Sequence, residues 1–490
     1  MNYPEYDPGK GLIGVPELDG VEDVNAKILR LLDGVTEYQN RSVSFFISGS
    51  YSFSDKYVLS GSARMDGADI IGTKNRFSPL WNASFKYNLH GEQFMQKVSW
   101  LNELAFRFSY GFTGSIDKNA LPFGVMTFST TDEYFGYDIP SYIQPKNPSV
   151  KWQKKEDRSF GIDFAFLNHR IRGTVNYYNN VTRNLLDTKD LPISVGVNSI
   201  KYNSSSVRNY GWELSLDSRI VRAKEFAWSV GLNMGMNKSK VIDTYYKDIS
   251  EVPKGSDKTT PIEGASTNAW FGYRFAGIDP RTGHALAYVD NSKRENPIGF
   301  QQENGRWVLD MDDTYNTDKE NIKENLGDSY PTISGGFRTN FSWKEFTLNA
   351  TFSFMAGHKI TAAYYAAAVG GSVSGVKQNM LKKEASRWRK PGDITDVPGY
   401  SVEGGYSSLY SEWYDLKLEK GDFLKCTGIS LGYRLPATIY RKLLLSSLRV
   451  NFNVRDVFTI SKYSGLDPEN FGGFGYPNSR KYTISLNIEI

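Results

Sequence analysis

A single cysteine, Cys426, stands in 490 residues, so no disulfide can form within the chain. Histidine is nearly as scarce. His90, His169, His284 and His358 are scattered and make no metal-ligand cluster. There is no run of ~18 apolar residues, which excludes a membrane-spanning helix. Neither sign of charge dominates: 58 basic and 54 acidic residues leave +4, too near balance to argue for a nucleic-acid partner. The opening stretch MNYPEYDPGKGLIGVPELDG lacks a basic n-region and an apolar core, so it is not a secretory signal. An exported protein beginning this way is expected to be a fragment, or a processed or split chain. Ser/His/Asp and Cys/His arrangements are not recognisable either, and no enzyme or cofactor is expected.

What the chain has instead is aromatics and glycine. Its 31 Tyr, 29 Phe and 10 Trp with 45 Gly, spread over many short segments, point to an all-β protein. The mean hydropathy of −0.46 is that of a soluble protein, yet a membrane β-barrel has a similar average. Its strands alternate lipid-facing apolar with lumen-facing polar residues.

Strict alternation is the main signal. From Ser42 to Ser54 one face reads Val43, Phe45, Ile47, Gly49, Tyr51, Phe53, and the other is mostly serine. An Asp55-Lys56 turn leads to Tyr57, Leu59, Gly61, Ala63, Met65 against Ser60, Ser62, Arg64, Asp66. These strands reach the ~10 residues that cross a bilayer at a tilt. The pattern returns at 104–112, 160–166, 212–217, 226–234 and 346–354, and ends on Tyr482, Ile484, Leu486, Ile488, Ile490.

The connections are a second signal. Ser54–Tyr57, Leu167–Arg170, Ile220–Phe226, Trp343–Phe346 and Pro436–Ser446 are short. Gly114–Glu156, Val181–Ser206, Lys238–Ser266, Gly357–Lys420 and Ser461–Arg480 are long and polar. Short periplasmic turns and long external loops are the mark of outer-membrane barrels. Counting back from a C-terminus on the periplasmic side, parity fails between Trp270 and Thr332. One extra strand, near Leu286–Val289 or Trp307–Leu309, would restore it. The expected count is about fifteen strands. Plugged outer-membrane transporters have about 22, so the chain reads as the C-terminal part of a larger barrel. Residues 42–490 are assigned to the barrel, and 1–41 to an external loop or N-terminal remnant.

Several stretches resemble the SusC/RagA family of TonB-dependent outer-membrane transporters. They are YSFSDKYVLSGSARMDGADIIGTKNRFSP, WLNELAFRFSYGFTG, NPSVKWQKKEDRSFGIDFAFLNHRIRGTVNYYNNVTRNLL, LGDSYPTISGGFRTNFSWKEFTLNATFSFMAGHKI, GDFLKCTGISLGYRLP and YSGLDPENFGGFGYPNSRKYTISLNIEI, in family order. The resemblance covers nearly all of Ser42–Ile490. It implies an outer-membrane barrel closed by an N-terminal plug, energised by the TonB complex, with a SusD-like surface lipoprotein as lid. Such pairs import oligosaccharides or peptides.

Sugar rings stack on aromatic faces, so loop aromatics are the expected substrate contacts. These are Tyr364, Tyr365, Trp388, Tyr400, Tyr406, Tyr410 and Trp413 in one loop, with Arg387, Arg389, Asp393 and Asp396 nearby. Phe471, Phe474 and Tyr476 stand in another. Each of these aromatics has a plainer reading: it packs its own loop or touches a lid protein. Tyr51, Phe53, Tyr57, Tyr177 and Tyr178 read as interfacial girdle. Arg64, Asp66, Arg107, Asp163, Arg172, Glu213 and Asp217 are expected to line the lumen, mostly paired. Asp310, Asp312 and Asp313 lack the glycine and terminal Glu of a calcium loop. FGGFGYP lacks the strand-to-helix setting of a nucleotide site. Rival readings are a passive pore or inactive split-gene remnant, and a secreted carbohydrate-binding β-protein.

Overall fold

The computed structural model describes residues 5–7, 11–13, 41–117, 122–134, 137–192, 194, 199–251, 261–292, 294–313, 319, 322–362, 382–399, 409, 412–470 and 476–490. Of residues 1–41, only a small hairpin, Glu5–Asp7 with Gly11–Ile13, and Arg41 fall among them. The first assigned segment otherwise lies outside the described residues.

One antiparallel sheet of thirteen strands dominates. In chain order they are β1 Ser42–Phe53, β2 Tyr57–Ala68, β3 Phe77–Asn88, β4 Leu101–Ser115, β5 Gln153–Phe166, β6 Ile171–Asp190 and β7 Ser199–Arg222. There follow β8 Phe226–Asp243, β9 Ile333–Trp343, β10 Phe346–Ala356, β11 Phe423–Arg434, β12 Ser447–Ser461 and β13 Lys481–Glu489. Each strand pairs with the next in sequence, the up-and-down order of a barrel wall. Among the described residues, β1 and β13 form the two edges and do not pair with each other.

The wall is built opposite to a soluble protein. Its apolar residues are uncovered: Phe45 is 66%, Ile47 72% and Ile484 75% exposed. They lie on the face that meets lipid. Serines and threonines stud the other face, where they bond across strands, as in Ser50–Ser60, Ser109–Ser159 and Thr351–Thr427, each at 2.9 Å. Aromatic pairs collect at the tight-turn end of the outer face. Tyr57 stacks on Tyr87 at 5.0 Å, Trp228 on Phe341 at 5.3 Å, and Phe346 meets Tyr433 at 4.5 Å. This is the belt expected where headgroups begin. Tyr178 departs from the expected girdle. Its neighbour Tyr177 packs on outward Trp212, so Tyr178 points to the polar face and donates to Asn237 Oδ1 at 2.8 Å. It passes over Gly211, where a Cβ would fall 2.7 Å from the phenol oxygen and 1.9 Å from the Met236 carbonyl oxygen.

Among the described residues the wall has thirteen strands beside the expected count of about fifteen, and both stretches offered for an extra strand belong to a small separate sheet. Phe275–Ile278, Ala285–Tyr288, Trp307–Asp310 and Phe300–Gln301 form a separate four-stranded sheet. Among the described residues of 244–332 none joins the wall between β8 and β9, and parity holds for the strands described. The connection Val181–Ser206 is also shorter than expected. β6 and β7, at 20 and 24 residues, stay paired to Asp190–Ser199. A bulge between Thr182 and Leu185, with Asn184 at φ +58°, shifts the alternation and conceals the pairing in sequence. A strand needs only ~9–11 residues to cross, so this hairpin projects well beyond the bilayer.

Candidate functional site: the polar inner wall and the external cap

The inner wall carries charges in pairs. Arg107 clamps Asp163 through two 2.8 Å bonds and reaches Asn176 at 2.9 Å. Arg338 of β9 holds Asp217 of β7 at 2.6 Å, and Arg64 pairs with Asp66. Asn176 extends the first cluster toward Glu213 at 3.5 Å. Paired charges make the wall hydrophilic without leaving isolated charges against lipid-backed strands. Of the charged residues expected here, Arg172 stays exposed beside Asp217 in a depression of about 300 Å³.

The principal described hydrophobic core lies outside the wall. Tyr273, Ile278, Ala285, Ala287, Val289, Leu309, Met311, Leu409 and Tyr414 pack together, drawing on two different connections, 244–332 and 357–422. Tyr273 bridges Tyr414, its N–H donating to the Trp413 carbonyl at 2.8 Å. The Asp415 carboxylate accepts from the Phe275 N–H at 3.0 Å, and the Trp270 indole donates to the Lys359 carbonyl at 2.9 Å. The two loops thus form a single cap at the end opposite the tight turns. Buried Asp279 closes its first turn. Burial alone would raise its carboxyl, but hydrogen bonds from the Arg281 guanidinium and N–H hold it below the usual carboxylate range. At the entry to the cap Lys247 sits 2.6 Å from Asp243 and 2.7 Å from Glu263, which raise its ammonium above the ordinary value.

The connection 462–480 is fastened to the same cap. Glu419 accepts from the Ser464 N–H and hydroxyl, both at 2.8 Å. Tyr463 donates to the Thr361 carbonyl at 3.1 Å. Burial, then the nearby Glu419 charge, push its phenol upward. Lys425, on the inner face of β11, reaches Glu469 in that connection.

A polar-lined antiparallel wall thus stands under a cap of long loops. The family model for TonB dependent receptor-like β-barrels matches residues 3–354. The chain belongs to that family. It is an outer-membrane β-barrel protein of the SusC/RagA type. TonB-dependent receptor P3 of Formosa agariphila is 25% identical over 91% of this chain and 45% of its own length. TonB-dependent receptor SusC of Bacteroides thetaiotaomicron is 25% identical over 92% and 44%. Among solved structures, the RagAB peptide transporter superposes with a TM-score of 0.73 at 25% identity, covering 92% of this chain and 48% of that one. The chain spans about half the length of the curated relatives it matches.

Within this barrel, the loop aromatics expected to meet substrate divide three ways. Trp388 and Trp413 both make contacts within the cap. The Trp388 indole donates to the Pro280 carbonyl at 2.9 Å and covers Gly283, whose φ of +77° suits glycine. Trp413 packs on Trp270 at 4.6 Å with the rings tilted. Tyr476 is 94% exposed and packs little. Tyr364, Tyr365, Tyr400, Tyr406, Tyr410, Phe471 and Phe474 lie outside the described residues. Asp393 accepts from the Arg389 and Lys390 N–H groups, and Asp396 pairs with Lys383 at 2.6 Å, so both hold the loop's shape. Asp310 meets His284 Nδ1 at 2.8 Å and accepts from the Asp312 and Asp313 N–H groups, closing its own turn. Sequence reasoning missed a cavity on the cap lined by Arg274, Tyr288, Arg306, Trp307 and Glu324. Of these, Tyr288 and Trp307 stand in the two stretches offered for an extra wall strand, Leu286–Val289 and Trp307–Leu309.

Proposed function

We propose that the chain forms wall and cap of a TonB-energised importer of a large nutrient, an oligosaccharide or a peptide, working with a SusD-like surface lipoprotein at the outer mouth. The observation that carries this reading is the hydrophilic, ion-paired inner face beneath a cap tied together from three connections. Such a face suits the passage of a polar solute. The relatives support it: one is named a TonB-dependent receptor, SusC, and one solved structure is titled a peptide transporter. Transport alters no covalent bond of the solute, in keeping with relatives that are receptors and transporters.

The test is uptake of fluorescent oligosaccharides and peptides by native cells, compared with cells lacking this gene or depleted of TonB. Loss of uptake of the same solute in both supports the reading. Uptake that needs the gene but survives TonB depletion would instead establish a passive pore. Uptake indifferent to the gene would point to an inactive remnant. Extraction into buffer without detergent would contradict the barrel itself.

A further inference from the structure

We infer that the cap carries its own binding site for a neutral oligosaccharide, separate from the loop aromatics named above; this rests on the importer reading and specifies its solute. The site is a cavity of about 670 Å³, within the ~300–1,000 Å³ of ordinary ligand pockets. Half-buried Tyr288 and Trp307 give it an apolar floor, and Trp307 packs against the cap core, which makes that floor rigid. Arg274, Asp290, Arg306 and Glu324 rim it, all exposed. Arg274 and Glu324 face each other at 2.9 Å, and the Arg306 guanidinium lies 5.2 Å from the centre of the Tyr288 ring.

Three features select the ligand. Among the described residues the rim holds two guanidiniums and two carboxylates, a formal charge of zero that offers no net attraction to an anion. Guanidiniums donate in pairs and carboxylates accept in pairs, which suits vicinal hydroxyls on a ring whose apolar face meets Trp307, the Tyr288 ring being met by Arg306. The main chain is already committed. Tyr288 N–H donates to the Arg274 carbonyl at 2.9 Å, and Val289 N–H to the Trp307 carbonyl at 3.0 Å. Both aromatics stand on strands inside the small sheet, paired at Tyr288↔Val308 and Gln301↔Trp307. A peptide that docks by strand addition needs an unpaired strand edge, and the floor of this cavity presents none.

The experiment uses the detergent-extracted protein from native outer membranes. Titration calorimetry compares neutral hexose oligomers of several linkages, a uronic-acid oligomer and mixed short peptides. The variants are Arg306→Ala and the double Arg274→Ala/Glu324→Ala, which removes both members of the ion pair and leaves no lone charge. The expected result is binding of a neutral oligomer that each variant weakens ~10-fold or more, at unchanged melting temperature. Equal affinity in wild type and variants overturns the site. So does a preference for the acidic oligomer or a peptide, or no neutral oligomer binding at all. Gene-dependent, TonB-dependent uptake persisting in the variant cells alongside unchanged affinity would sink the cap site while leaving the importer standing. Loss of gene dependence would sink the importer reading.

Discussion

Lys425 on the inner wall of β11 and Glu469 in the last described connection meet at 2.5 Å, with Asp456 3.2 Å from the same ammonium. The lysine side chain is only 5% exposed. One buried cation therefore ties a loop to the barrel interior. Its register partner Thr459 lies next to a bulge at which Asp456 takes φ +53°, aiming that carboxylate at the lysine.

Lys425→Ala leaves two carboxylates facing each other without their cation. The carboxylates left behind are part-exposed, so the loss is about 1–3 kcal/mol, taken here from the local anchoring of 462–480. Limited proteolysis of the detergent-extracted protein should show much faster cleavage within that segment. Cleavage at the wild-type rate would mean that Glu419 and Tyr463 hold the loop unaided.

Trp388 and Tyr476 should separate sharply under mutation. Trp388→Ala loses the Pro280 bond and the packing over Gly283, for a cost of about 2–4 kcal/mol. Tyr476→Ala removes an exposed ring and should change stability by less than about 0.5 kcal/mol. Denaturant midpoints in detergent would report both. A larger loss from Tyr476→Ala would show that it packs somewhere unrecognised.

His358 gives the cap a pH dependence. It is 2% exposed, and burial lowers its imidazole below the ordinary value against the weaker pull of Asp422. The unfolded chain therefore takes up the proton first as pH falls. The contribution to stability is complete above the ordinary value of 6.5 and is lost as pH drops below it toward the depressed folded value. Melting temperature should fall between about pH 7.5 and pH 5, and His358→Gln should flatten that slope. An equal slope in the variant would assign the effect to other groups.

Arg107→Lys tests whether the inner wall needs fork geometry rather than charge alone. The ammonium cannot reproduce two bonds to Asp163 together with a third to Asn176. The clamp is partly solvated, so the expected cost is about 1 kcal/mol or less. The sharper readout is conductance of the reconstituted protein, which should become noisier as Asp163 and Asn176 lose their shared partner. A recording identical to wild type would show that a point charge suffices.

The wall was readable because a barrel strand writes its environment into every second residue. Phe45 and Ile47 against Ser44 and Ser48 admit one reading, and a slip by one residue would turn serines to lipid. The cap was not readable in the same way. Ala285–Tyr288 and Trp307–Asp310 are as apolar as wall strands, and no local property separates a strand facing lipid from one facing a loop core. The loop aromatics shared that limit, since nothing local to Trp388 in sequence shows that it covers Gly283.

Sequence alone determined the class of the molecule: an antiparallel wall with an apolar outer face, tight turns at one end and long polar loops at the other. These follow from period-two alternation and from turn length, both local in the chain. Only the tertiary structure decided that three connections join into one cap, that Lys425 anchors the last of them, and that Tyr288, Arg306, Arg274 and Glu324 surround one cavity. Those meetings join residues tens to more than a hundred positions apart, as Phe275 meets Asp415. They depend on packing between loops, which leaves no periodic trace in either partner.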